Sequence, residues 1–165
     1  MSYIAIDPGP EKSGFVRFLN GHLLEAGHYD NDQILTLIHH PEETVIIEWL
    51  RCYGAAVGQS VLRTAQFCGE VKQRCRSKMI HYHELTRPEV CLALVGKTQK
   101  VSKAVVRRAV LDLYPCVGGG SNPEIGTKDS PGPLFKMRCE GGKHAWDALA
   151  LFESWKLIQK RYGEE

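Results

Sequence analysis

Tyr3-Ile4-Ala5-Ile6-Asp7-Pro8-Gly9-Pro10 decides the architecture. A short apolar run ends on an aspartate, and the Pro-Gly-Pro that follows cannot continue a central strand. Working outward, Gly14 to Leu19 reads as a second strand. Asn20-Gly21 is the strongest short hairpin signal, so His22 to Tyr29 is the returning third strand. Ile34, Leu35, Leu37 and Ile38 suggest a short helix that stops before Pro41. Thr44-Val45-Ile46-Ile47 is β-branched and apolar, hence a buried strand, and it ends at Glu48.

Downstream the period changes. Val57, Val61, Ala65, Cys68, Val71 and Cys75 recur at three- and four-residue steps, the mark of one long helix. Met79 to Tyr82 predicts a fifth strand. A helix from about Arg87 to Leu94 breaks at Gly96. Another follows with Val101, Val105, Ala109 and Leu113 inward, closed by Pro115. Residues 118–142 hold seven glycines and three prolines, too many for a regular element. A loop of that length inside a domain is usually functional or mobile. The last helix runs from about Lys143 to Arg161. Strands first, then strands alternating with helices, predict an α/β fold: a mixed five-stranded sheet flanked by helices, one domain over residues 1–165.

At 165 residues the chain is long enough to bury its own core, and 43% hydrophobic content argues against disorder. No apolar run approaches the length of a membrane helix, and the first residues lack the features of a signal peptide. A cytoplasmic location is therefore expected. Six cysteines without a C-x-x-C pair fit reduced thiols packed as small hydrophobes; Cys139 and His144 have poor spacing for zinc.

Charge is sorted along the chain. Residues 1–50 carry two basic and eight acidic side chains, 51–110 carry twelve and three, and 111–165 carry seven and eight. A basic middle between acidic flanks suggests that one side grips a polyanion while the acids do something else. A solvated basic helix face is the plainer alternative.

Three of the acids close elements. Asp7 ends the first strand, Glu48 ends the fourth, and Asp147 lies in the first turn of the last helix, three residues after His144 and on the same face. Each has an ordinary reading by itself: a turn aspartate, a structural ion pair, a carboxylate favoured by the helix dipole. Together they would repel unless cations neutralise them, and oxygen-rich clusters select Mg²⁺ or Mn²⁺. Two such ions, about 4 Å apart, can stabilise the attacking and leaving oxygens of a phosphate displacement.

These residues carry a resemblance. Ile4-Ala5-Ile6-Asp7-Pro8-Gly9 with Ser13-Gly14-Phe15 resembles the opening of RuvC-type Holliday-junction resolvases. Val45-Ile46-Ile47-Glu48 resembles that family's second acidic strand, and Val61 to Gly69 the helix after it. Leu94-Val95-Gly96 and the basic run Lys100 to Arg108 resemble its later segments. His144-Ala145-Trp146-Asp147-Ala148-Leu149-Ala150 is similar to its closing motif. Gly126-Thr127-Lys128 and Pro131-Gly132-Pro133-Leu134 look like phage-encoded members. Residues 118–142 are longer than the bacterial connection, and Cys91 falls near a bacterial lysine.

The resemblance implies a ribonuclease-H-like fold, a homodimer and divalent-metal-dependent paired nicking of four-way DNA junctions. Carried residue by residue, it makes Asp7, Glu48, His144 and Asp147 the catalytic and metal-binding set, with Mg²⁺ or Mn²⁺, two per site. The helix at 55–76 is the expected dimer interface, with simple core packing as its alternative. Lys100, Lys103 and Arg107 step by three and four along a basic stripe suited to phosphates. Arg51 and Arg63 extend it. Tyr53, after Glu48, either stacks on an unpaired base or packs conventionally. The rival expectations are a nuclease of the same fold acting on flaps, branched DNA or RNA–DNA hybrids, and a junction-binding module that cuts nothing. An ATP-using protein of the actin or sugar-kinase type would need a longer chain.

Overall fold

The computed structural model describes residues 1–51, 54, 56–138 and 142–162. The strands are β1 (Ser2–Asp7), β2 (Lys12–Leu19), β3 (His22–Asp30), β4 (Glu43–Glu48) and β5 (His81–Leu85). They form one sheet in the order β3-β2-β1-β4-β5. β1, β2 and β3 pair antiparallel, while β1–β4 and β4–β5 are parallel. The hairpin turn is as expected: Asn20 and Gly21 have φ of 50° and 82°, the left-handed pair that a tight twisted hairpin needs.

The helices are α1 (Asn31–Leu37), α2 (Gln59–Ser77), α3 (Arg87–Val95), α4 (Lys103–Leu111) and α5 (Gly142–Tyr162). Alternation along the strands divides them into two layers. Ile4, Ile6, Phe15, Val45 and Ile47 face α1 and α2, packing with Ile34, Phe67, Cys68 and Val71. Ala5, Val16, Phe18 and Ile46 face α3, α4 and α5. Phe18 stacks on Phe152 with ring centroids 4.1 Å apart. This is the mixed five-stranded α/β architecture of the ribonuclease-H-like fold.

α5 is buried without a break from Ala145 to Ser154, because the sheet covers one side and α3 and α4 the other. Its polar residues must then find partners. Glu153 accepts from Tyr114 Oη at 2.5 Å and from Lys156. Ser154 Oγ donates to the Ala150 carbonyl at 2.7 Å. Asp147 is held by two cations, described below. Among the described residues no helix is long and apolar enough to cross a membrane.

Three expectations need correction. The inward face of α2 is Thr64, Phe67, Cys68, Val71 and Cys75, whereas Val57, Val61 and Ala65 are exposed. In α4 it is Val106, Val110 and Leu111, with Val105 48% exposed. In α2 the expected Cys68, Val71 and Cys75 do face inward and only the N-terminal half of the stripe differs; in α4 the shift is one residue, about 100° of helix rotation, where adjacent valines could serve either face. The fifth strand starts at His81: Met79, with φ of 56°, forms the exposed turn before it.

Residues 118–138 are irregular apart from one 3-10 turn at Phe135–Met137, and they are knit together by main-chain bonds. Gly118 N donates to the Pro123 carbonyl at 2.8 Å, Gly119 N to Ser130 at 2.8 Å, and Gly132 N to Ile125 at 2.9 Å. A Cβ on Gly126, where φ is 78°, would lie 2.2 Å from Gly132 N. Glycine is required there because backbone packs on backbone. Leu134 anchors the segment in the core. Cys68, Cys75 and Cys91 are free and buried, as expected of thiols packed as small hydrophobes, whereas Cys116 is free but exposed. Burial pushes the Cys68 thiol up to about 12 and the Cys75 thiol to about 11, which keeps both inert. Cys52 and Cys139 lie outside the described residues.

Candidate active site

Strand register brings the first two carboxylates together. Ile6 pairs with Ile47 in the parallel β1–β4 ladder, so the next residues, Asp7 and Glu48, end neighbouring strands on the same edge. On the other side Asp7 pairs with Gly14. That glycine admits α5: a Cβ there would lie 2.3 Å from the His144 carbonyl carbon and 2.6 Å from its Cβ. The start of α5 thus rests directly on β2, and His144 and Asp147 are delivered to Asp7.

The loop after Asp7 is tied down. Ser13 Oγ, buried, donates to Asn31 Oδ1 at 2.7 Å and accepts from Gly9 N at 3.2 Å, while Asn31 Nδ2 donates to the Gly9 carbonyl at 3.1 Å. One serine and one asparagine therefore hold the turn rigid behind the aspartate.

Ligand atoms of Asp7, His144 and Asp147 all lie within 4.8 Å of one another. His144 Nδ1 is 3.2 Å from Asp7 Oδ2. Lys103 Nζ donates to Asp147 Oδ2 at 2.5 Å, and Arg87 Nη1 to Asp147 Oδ1 at 3.4 Å. Glu48 stands beside the three. Burial, then the Asp7 charge, pushes its carboxyl up to about 7. Burial, then the Asp147 charge, pushes Asp7 up to about 6, partly offset by His144 and Lys103. Two carboxyls at this edge therefore share a burden of burial and like charge that His144, Arg87 and Lys103 relieve only in part. A compact oxygen-rich set with one imidazole suits a hard divalent cation.

Two residues at the site escaped the sequence reading. Arg87 opens α3 two residues beyond Leu85, which pairs with Glu48. A fifth strand placed at His81–Leu85 would have put this arginine on the acidic edge. His28 stacks on His144 with centroids 4.5 Å apart and planes 13° from parallel. Burial, then the neighbouring His144, lowers its pKa. The Asn20-Gly21 turn sets Leu19 opposite His22, and unbroken pairing would set Gly14 opposite Gly27. A bulge between Arg17 and Phe18 slips the register by one and sets His28 there instead. Nothing local announces that slip.

The basic candidates divide. Lys103 and Arg107 lie on α4 beside Asp147, and the Arg107 guanidinium sits 4.2 Å from the Trp146 ring centroid. Lys100 precedes the helix in an exposed left-handed turn, so it is not part of the predicted stripe. Arg63 pairs with Glu11 at 3.0 Å, across the Asp7 turn. Arg51 is exposed. Cys91 is buried, so it presents nothing at the site surface. Tyr53 lies outside the described residues.

No protein-family model and no curated protein matches the chain. Solved structures do. Thermus thermophilus RuvC is similar with a TM-score of 0.65 and 19% identity over 99% of this chain and 97% of that one. T. thermophilus RuvC in complex with Holliday junction substrate is similar with a TM-score of 0.64 and 18% identity over the same shares. Strand order, register and nearly complete mutual coverage give this chain the ribonuclease-H-like fold in the form that RuvC has it.

Proposed function

We infer that the chain is a divalent-metal-dependent DNA endonuclease that resolves four-way junctions by paired symmetric nicks. The observation that carries this is the meeting of Asp7, His144 and Asp147, with Glu48 beside them, at a sheet edge flanked by the cationic helix α4. The fold shared with a RuvC solved on a Holliday junction supports it.

Asp7, Glu48, His144 and Asp147 would hold Mg²⁺ or Mn²⁺, two ions per site. Such ions would supply positive charge at the cluster and the Lewis acidity that phosphodiester hydrolysis by water needs. The chain's own residues do the rest. Asp7 and Glu48, both raised above the ordinary carboxyl range, would hold a cation in their ionised forms, so binding should strengthen as pH rises through 6 to 7. His144 is oriented by Asp7 and by the ring of His28, placed to hold a proton or a ligand bond. Lys103 neutralises Asp147 while its side chain remains 72% exposed, free to meet a phosphate oxygen as well. Arg51, Arg63, Lys100, Lys103 and Arg107 would contact the DNA backbone. Residues 1–165 act as one domain. A two-fold dimer through α2 would place two sites on opposite strands, and exposed Val61 and Leu62 suit that interface.

The test is a gel assay on a mobile four-way junction with Mg²⁺, Mn²⁺ or chelator, beside flaps and RNA–DNA hybrids. Paired nicks on the junction alone, lost in chelator, are expected. Asp7→Asn and Asp147→Asn should abolish cutting while junction binding persists. Cutting at wild-type rate by either variant overturns the site; preferred cutting of flaps or hybrids overturns the substrate.

A further inference from the structure

A cleft of about 400 Å³ lies between α4, the start of α5 and the glycine-rich segment. Arg107 and Trp146 line it, and the same two residues line the groove that contains Lys103, Lys143 and Asp147. The cleft and the groove beside the acidic site therefore share a wall. Its far wall is the turn from Gly119 to Asn122, and Arg138 closes it.

Three observations give this cleft the chemistry of an anion subsite. Arg107 and Arg138 have no carboxylate partner among the described residues; Arg107 lies on the Trp146 ring and Arg138 near the Phe135 ring, 5.9 Å from its centroid. Such stacking fixes a guanidinium without using up its donors. The main-chain amides of Gly120 and Ser121 have no acceptor among the described residues, and Gly120 has φ of 84°. Finally, the wall is preorganised. Gly118 packs so closely that a Cβ would lie 2.6 Å from Gly126 Cα, and Arg138 Nη1 reaches the Gly126 carbonyl at 3.5 Å. Little ordering remains to be done on binding.

We propose that this cleft is a second phosphate subsite, which receives the backbone of the DNA strand leading away from the scissile phosphate. The inference rests on the nuclease reading above and deepens it. Lys103 and Arg107 are one helical turn apart, a separation of about 5–6 Å, which spans one to two phosphates of a strand. Lys103 thus serves the phosphate at the acidic cluster, Arg107 the next, and Arg138 with the glycine turn the one beyond. The contact fixes the strand's path and carries no base preference. It gives residues 118–138 a role that the acidic cluster alone does not.

Arg138→Ala is the direct test, because the side chain is exposed and outside the acidic site. Junction affinity is measured with Ca²⁺ across a salt series, and the melting temperature serves as the folding control. Affinity should fall about fivefold, the order of one exposed charge contact, and the slope of log K against log salt should flatten by about 0.9. Arg138→Lys should keep the slope and lose part of the affinity. Unchanged affinity and slope in Arg138→Ala, with a wild type that binds and cuts, overturn the subsite and leave the nuclease standing. A wild type that neither binds nor cuts branched DNA overturns both. Titration with inorganic phosphate and with a deoxynucleoside monophosphate separates the sources: loss of monophosphate binding without loss of junction affinity makes the cleft a mononucleotide site and overturns the strand assignment.

Discussion

Replacing Glu48 by Gln should stabilise the metal-free protein strongly at pH 8 and only slightly at pH 5. Folding pushes the Glu48 carboxyl from 4.5 up to about 7, through burial first and then the Asp7 charge. A carboxyl raised on folding binds its proton more tightly in the native state. Its contribution is complete below the unfolded value and is lost as pH rises through the folded one. Between pH 5 and pH 8 that loss is about 2.5 kcal/mol for Glu48, at 1.36 kcal/mol per pK unit. Asp7, raised from 3.8 to about 6, loses about 1.4 kcal/mol over the same interval. The wild type should therefore be about 4 kcal/mol less stable at pH 8 through these two groups. His28 and His83 act with the opposite sign: burial lowers both, so they add stability above the ordinary histidine range and lose it below. Subtracting wild type from Glu48→Gln cancels them. Urea unfolding in chelator at four pH values gives the difference directly. It should favour the glutamine by about 3 kcal/mol at pH 8 and by about 1 kcal/mol at pH 5, a change of about 2.5 kcal/mol. Magnesium at a hundredfold over its Kd should restore about 2.7 kcal/mol to the wild type at pH 8, and less to the variant. A pH-independent difference, or a wild type that gains stability from pH 5 to pH 8 in step with its variant, refutes the reasoning.

Gly14→Ala puts a methyl 2.3 Å from the His144 carbonyl carbon, and main chain cannot yield there cheaply. It should cost about 1–3 kcal/mol by thermal melt and depress cutting more than binding; a neutral melt with full cutting removes Gly14 from the account of how α5 docks. Phe152→Ala removes a ring stacked 4.1 Å from Phe18 at the centre of the α5 layer, and should cost about 3–5 kcal/mol in urea unfolding. A loss under 1 kcal/mol would show that this face of the sheet does not depend on the stack.

The sequence carried the sheet well because its signals were local. Asn20-Gly21 dictates a hairpin, Pro8-Gly9-Pro10 ends a strand, and a β-branched run at Thr44–Ile47 can only be buried. The strand-end acids were legible for the same reason, since Asp7 and Glu48 follow apolar runs directly. The helix faces were not. Where Val105 and Val106, or Thr64 and Ala65, stand side by side, the period alone leaves two solutions, and only the layer beneath selects one. The site's remaining members depended on long-range geometry: His28 on a bulge three residues away along a partner strand, Arg87 on the parallel register of β4 and β5. The glycine-rich segment misled in another way. Many glycines suggest freedom, but here they let main chains approach at distances no side chain allows.

The fold is similar to that of a RuvC at 19% identity, and the construction of the acidic cluster here asks for few specific side chains. Asp7 and Glu48 are set by main-chain pairing, and Asp147 by a helix whose approach requires only that Gly14 carry nothing. Surface residues are then free to differ, including the segment at 118–138. The charges are distributed just as unevenly. Among the described residues, Asp147 alone of the three acids is paired to lysine or arginine, while Asp7 and Glu48 are left to repel each other. Stability would be better served by apolar residues at those two positions. On the proposed reading, a buried and only partly compensated pair of carboxyls beside a half-exposed histidine would be kept for the cation it binds, because that is where a cation would offer most.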